Sequence, residues 1–251
     1  MENVMNFPIA ILICSLIVMW ASSRIGVLLR TKLHFAEDER EDFSIVTGAV
    51  LTLLGLLIGF SFSMAITRYD QRKNYEEEEA NAIGTEYVRA DFLPAASAAK
   101  VHQLLAKYTD LRIQFYETLD ETRLDKINAE TAQLQNTMWS EVSSAAAANP
   151  NQVMATVVTG MNDVLNRQGY TQAAWWNRIP IAAWGLMILI AVACNVLFGY
   201  EAHRKGGLVF LVLPVAVSIS FLLIADIDSP RGGLIHVAPQ NLVSLSHSLQ
   251  H

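Results

Sequence analysis

Six histidines (His34, His102, His203, His236, His247, His251) and two cysteines (Cys14, Cys194) are the side chains best suited to ligate a metal or act as nucleophiles. Each stands alone. None has a partner at the spacing of an HExxH or CxxC set, which brings two donors within reach of one ion. No GxxxxGK loop is present to cradle a phosphate, and no GxSxG elbow to present a serine. Both cysteines fall in apolar runs and read as small packing residues. The expectation is a protein that is not an enzyme and uses neither metal nor cofactor.

The charged chemistry gathers in one place. Residues 51–67 carry no formal charge, and Arg68, Asp70, Arg72 and Glu76 follow with no proline or turn signal between. Charges at such a border would sit at the mouth of an ion pathway and bias which ion enters. The acidic run at residues 76–79 reads as a solvated helix face, since four consecutive residues cannot all face one axis. Its alternative is a negative ring around a pathway in a ring-shaped oligomer.

What must position these residues is membrane-spanning. The 251 residues are 52% hydrophobic and 17% charged, with mean hydropathy +0.29. A soluble domain carries about 25% charged residues. The apolar residues gather in four runs, 7–23, 43–67, 179–200 and 206–225. Each is close to the about 20 residues that span a bilayer core. Arg24 can snorkel, letting the first run continue through Leu29. That run is expected to be a span rather than a signal peptide, because "MENVMN" has no basic residue and the apolar stretch is too long. The net charge of −6 argues against nucleic acid as a partner. The fold class is therefore all-α and polytopic: a transmembrane hairpin at 1–67, a helical extramembrane domain at 68–178, a second hairpin at 179–225 and a tail at 226–251.

Apolar periodicity divides the insert into four helices. The first extends the second span to about residue 92 and stops before Pro94. The next carries Val101, Leu104, Leu105, Tyr108, Leu111, Phe115 and Leu119. A third carries Leu124, Ile127, Leu134, Met138 and Val142 and ends at Asn149 and Pro150. The fourth, from Gln152, presents Val153, Val157, Met161, Val164 and Leu165, with Gly169 as its terminator.

The second span has two distinct sides. Gly48, Thr52, Gly55, Gly59, Ser63 and Ile66 share one, where Gly55 and Gly59 permit close helix packing. Leu53, Leu57, Phe60 and Met64 line the other, with Thr67 at its edge. In a single chain that stripe faces lipid or another span. In a ring of identical subunits it would surround an axis as a hydrophobic constriction that gates by wetting. The adjacent face, Ile58, Phe62 and Ile66, is the second candidate for the same role.

Leu53, Leu54, Gly55, Leu56, Phe60, Phe62, Arg68, Tyr69, Asp70 and Arg72 together resemble the second-span signature of bestrophins. "DIDSPRGGLI", at 226–235, resembles the acid–x–Pro–x–Gly segment that follows their last span, and the order of elements is similar too. The chain is most similar to a bacterial bestrophin-like membrane family. That resemblance implies a homo-oligomeric ion channel, a pentamer in the inner membrane, with span 2 lining a hydrophobic neck for small inorganic ions. It favours chloride or another anion, but family members differ in ion sign, which stays open. The doubled Trp that often follows the Tyr-Asp-Arg is absent. So is the acidic run of animal bestrophins, and calcium gating is not carried over. The alternative is a membrane-anchored sensor or scaffold whose helical domain binds a partner; the short tail favours the channel.

Two further expectations follow. Pro230, Gly232 and Gly233 suit a sharp turn after span 4, with Asp226 or Asp228 pairing near Arg68. Counting basic residues in short loops sets Arg30, Lys32, Arg40, Arg204 and Lys205 against Arg231, which places the helical domain outside the cytoplasm. The bestrophin resemblance places it inside, so orientation is open.

Overall fold

In the computed structural model, residues 8–32, 37–201 and 209–250 are described, without the side chains of 37–42 and 209. His34, His203, Arg204, Lys205, His251 and the Arg40 side chain, all used above, lie outside the described residues. Among the described residues, eight α-helices run α1 (Pro8–Lys32), α2 (Glu37–Arg89), α3 (Ala95–Glu117), α4 (Glu121–Ala148), α5 (Gln152–Trp176), α6 (Ile181–Glu201), α7 (Val209–Asp228) and α8 (Gln240–Leu249). A 3-10 turn, Ala90–Phe92, follows α2. Among the described residues there is no strand.

The chain forms two compact units. One holds residues 1–69 and 178–236, the other 70–177 and 237–251. Among the described residues, four helical segments are long and apolar enough to cross a membrane, and the protein is a multi-pass membrane protein. In the first unit α1 packs on α6 and α7. Met19, Leu54, Ala65, Trp184, Met187, Cys194, Phe221 and Ile224 make its core. Ile9, Ile13, Ile17, Trp20 and Leu28 of α1 point outward. Cys14 is exposed as well, so of the two cysteines only Cys194 packs in the core.

Lipid supplies no hydrophobic drive between helices, so close packing and interhelical hydrogen bonds must hold them. The α1–α6 crossing does this with residues that sequence reasoning passed over. A Cβ at Gly26 would overlap the Val196 carbonyl, and one at Gly199 the Ser23 carbonyl. Beside them Ser23 Oγ donates to Asn195 Oδ1 at 3.2 Å, and Asn195 Nδ2 donates to the Ala191 carbonyl at 2.8 Å.

The second unit is a helical bundle with its own apolar core. Val101, Leu105, Tyr108, Leu111 and Phe115 of α3 are buried with Ile127, Leu134, Met138 and Val142 of α4 and Val157, Met161 and Val164 of α5. Leu119, in the link between α3 and α4, and Val153, in the first turn of α5, both counted in those stripes, are exposed. Asp120 caps α4 through the Thr122 amide, and Asn151 caps α5 through the Met154 amide. Gly169 does not end its helix: α5 continues to Trp176. A mid-helix glycine costs about 1 kcal/mol, and the burial of Thr171, Ala174 and Trp175 beyond it offsets that. In the tail, α8 buries Leu242. No helix was expected there, because ten residues give too short a pattern to read.

Candidate functional site

The α2 backbone runs without a break because Gly and Pro interruptions that would stop it are absent or tolerated: its glycines sit within an otherwise strongly helical stretch. Its side chains divide by what they touch. Leu54, Ser61 and Ala65 are buried against the first unit's core. Leu57, Ile58 and Phe62 are half-buried on the same core. Leu53, Phe60, Met64 and Ile66 face outward, with Phe60 65% exposed. Three of the seven neck candidates, Leu57, Ile58 and Phe62, thus pack partly on their own chain, on the side of the helix that carries Leu54, Ser61 and Ala65. Leu56, which was not singled out, is 54% exposed and sits one turn before Phe60. Its i, i+4 spacing to Phe60 was the available signal.

The small-residue side is open in the single chain. A Cβ at Gly48, Gly55 or Gly59 would meet nothing within 4 Å, and Ser63 is exposed. On this face Thr52 Oγ1 donates to the Gly48 carbonyl at 2.9 Å, and at the edge of the other side Thr67 Oγ1 donates to the Ser63 carbonyl at 2.9 Å. A face without charge, its Thr52 hydroxyl paired to the backbone, can meet lipid or another copy at little desolvation cost.

The border charges have separate fates. Arg68 lies 3.5 Å from the Asp228 carboxylate, which also accepts the Ile179 amide at 3.0 Å. Asp226 accepts the Leu234 and Ile235 amides at 2.8 and 3.2 Å, closing the turn after α7 around its carboxylate. Gly233 there has φ +89°, the left-handed region that favours glycine. Asp70 is exposed. Arg72 and Glu76, expected at a pathway mouth, are instead buried in the second unit. The reason for Glu76 is plain: its Oε1 accepts the Asn241 and Leu242 amides, both at 2.9 Å, and Oε2 accepts Asn241 Nδ2 at 2.6 Å. It caps the N-terminus of α8, where unpaired amides and the helix dipole favour an anion.

The acidic run is likewise not a uniformly solvated face. Glu79 is fully buried, taking Arg112 Nε at 2.5 Å and Thr171 Oγ1 at 3.1 Å. The Arg112 guanidinium lies 4.2 Å over the Phe115 ring. Burial first, and then the Glu79 charge, push the Tyr108 and Tyr116 phenols above their ordinary range, so both stay neutral. Glu78 pairs at the surface with Arg167, and Glu77 is exposed. Among the described residues, no three His, Cys, Asp or Glu side chains come together as a metal site.

A family model described as a bestrophin-like domain matches residues 10–242. Among solved structures, a mutant form of a bacterial bestrophin homologue from Klebsiella pneumoniae is similar. It has 16% identity and a TM-score of 0.67, with 95% of this chain and 97% of that chain covered. A structure of the homologue from the same organism phased with zinc has 17% identity and a TM-score of 0.64, with 95% of each chain covered. At these identities the likeness is one of fold. No curated protein matches in sequence.

Proposed function

The chain belongs to the bestrophin-like family, and on that premise we propose that it forms a homo-oligomeric ion channel, a pentamer in the bacterial inner membrane. The outward face of α2 lines the pore. The observation that carries this reading is the uncovered apolar face of Leu53, Leu56, Phe60 and Met64 on a helix whose other side packs on its own chain. Around an axis, copies of that face make a narrow apolar neck, and conduction is limited by the cost of wetting it. The open Gly55, Gly59 and Ser63 side then lets neighbouring copies approach closely. Small inorganic ions are the permeant species, with chloride favoured by family. Of the four border charges, Asp70 is the exposed one, and it takes the role at the mouth.

The test is reconstitution of the purified protein in planar bilayers. Currents that grow when Phe60 is shortened to Ala support the neck. A wild-type protein that carries no current gives the assignment over to the membrane-anchored scaffold.

A further inference from the structure

Glu86 lies on α2 beyond the apolar segment, within the second unit. It is 0% exposed, and neither carboxylate oxygen has a hydrogen-bond partner. Its neighbours on the same helix are treated differently: Glu76 has three donors, and Glu79 has Arg112 and Thr171. Opposite Glu86, α5 presents Gly160, so close that a Cβ would overlap Glu86 Oε2 and crowd the Arg89 guanidinium. An ionised carboxylate without donors is not held dry in such a contact, whereas a neutral carboxyl is.

We propose that Glu86 is a proton-operated latch between α2 and α5, closed at Gly160 when the carboxyl is neutral and loosened by entering water when it ionises. The charged groups around it are Arg89 on its own helix and Asp163 on α5. From α3, His102 is turned to the Tyr87 carbonyl at 2.9 Å and to Asp91 at 3.4 Å. From α8, Leu245 comes against α2 at Gly84. Burial pushes the Glu86 carboxyl up from the ordinary 4.5 to about 8; Arg89 opposes the rise and Asp163 adds to it. Because the folded value is raised, the closed contact is fully favoured below 4.5 and its advantage is lost as pH rises through about 8.

The experiment is amide hydrogen exchange on the intact protein in lipid nanodiscs from about pH 6 to about pH 9, comparing wild type with Glu86→Gln at each pH so that intrinsic exchange cancels. For the α5 amides at 157–164, the wild-type to variant rate ratio is expected to rise by about tenfold per pH unit and to level off above about pH 8. A ratio independent of pH overturns the proposal. Infrared spectroscopy of the wild type alone gives a second reading that does not need the variant to fold. A protonated-carboxyl band at about pH 6 that disappears by about pH 9 supports the latch, and its absence at about pH 6 overturns it.

Discussion

Phe60 and Phe62 are two residues apart in sequence and have opposite surroundings. Phe62 packs on the core of its own unit, and Phe60 does not. Phe62→Ala should therefore lower thermal stability, by about 1–3 kcal/mol for a partly buried aromatic. Phe60→Ala should leave the melting curve nearly unchanged and alter conductance instead. Melting and bilayer recordings on the same two variants separate the roles; equal destabilisation by both would contradict the outward placement of Phe60. The buried Glu79–Arg112 pair makes a second residue-scale prediction. Removing one member strands a charge in the core, so Arg112→Ala should cost about 3–5 kcal/mol. Denaturant unfolding checks it, and a loss near zero would mean water reaches that core.

At the scale of elements, two small-residue patterns have the same appearance in the sequence and different uses. Gly55 and Gly59 were legible as a packing pair, yet their side is open within the chain. The crossing that holds α1 to α6 uses Ser23 and Gly26 with Asn195 and Gly199. Gly199→Leu should consequently prevent folding or sharply reduce yield, because the obstruction is backbone and cannot move aside. Gly55→Leu should leave the chain folded and lower the oligomer fraction by size-exclusion chromatography with light scattering. If Gly55→Leu unfolds the chain while Gly199→Leu is tolerated, the two roles have been exchanged. Deleting residues 240–251 removes α8 and leaves Glu76 buried without the amides it caps. That truncation should destabilise the helical unit by more than the about 1 kcal/mol of an ordinary cap, as read by thermal melting.

For the whole molecule, the expectation is a symmetric oligomer in mild detergent, since a single chain leaves the apolar α2 face and its glycine side uncovered. A functional monomer of uniform mass in light scattering would end the channel reading. The side of the membrane on which the helical unit lies is decided by labelling a single cysteine introduced into it, at an exposed position such as Glu77.

The class of this protein followed from length and hydropathy alone. A bilayer core demands about 20 apolar residues per crossing, and the chain supplies four such runs. The bundle helices were legible for a similar reason: a 3.6-residue period places Val101, Leu105, Tyr108 and Phe115 on one face whatever they pack against. Which face of α2 turns inward was not legible, because its small-residue side and its large-residue side are both uncharged and either can pack on a neighbouring helix. Leu54, Ser61 and Ala65 settled that rotation by seating against the core. Nor could a run of four glutamates reveal that one caps α8 and another meets Arg112, since both partners lie far along the chain. The sequence carries the period and the polarity of each helix; only tertiary packing decides which charge finds a partner and which, like Glu86, is buried without one.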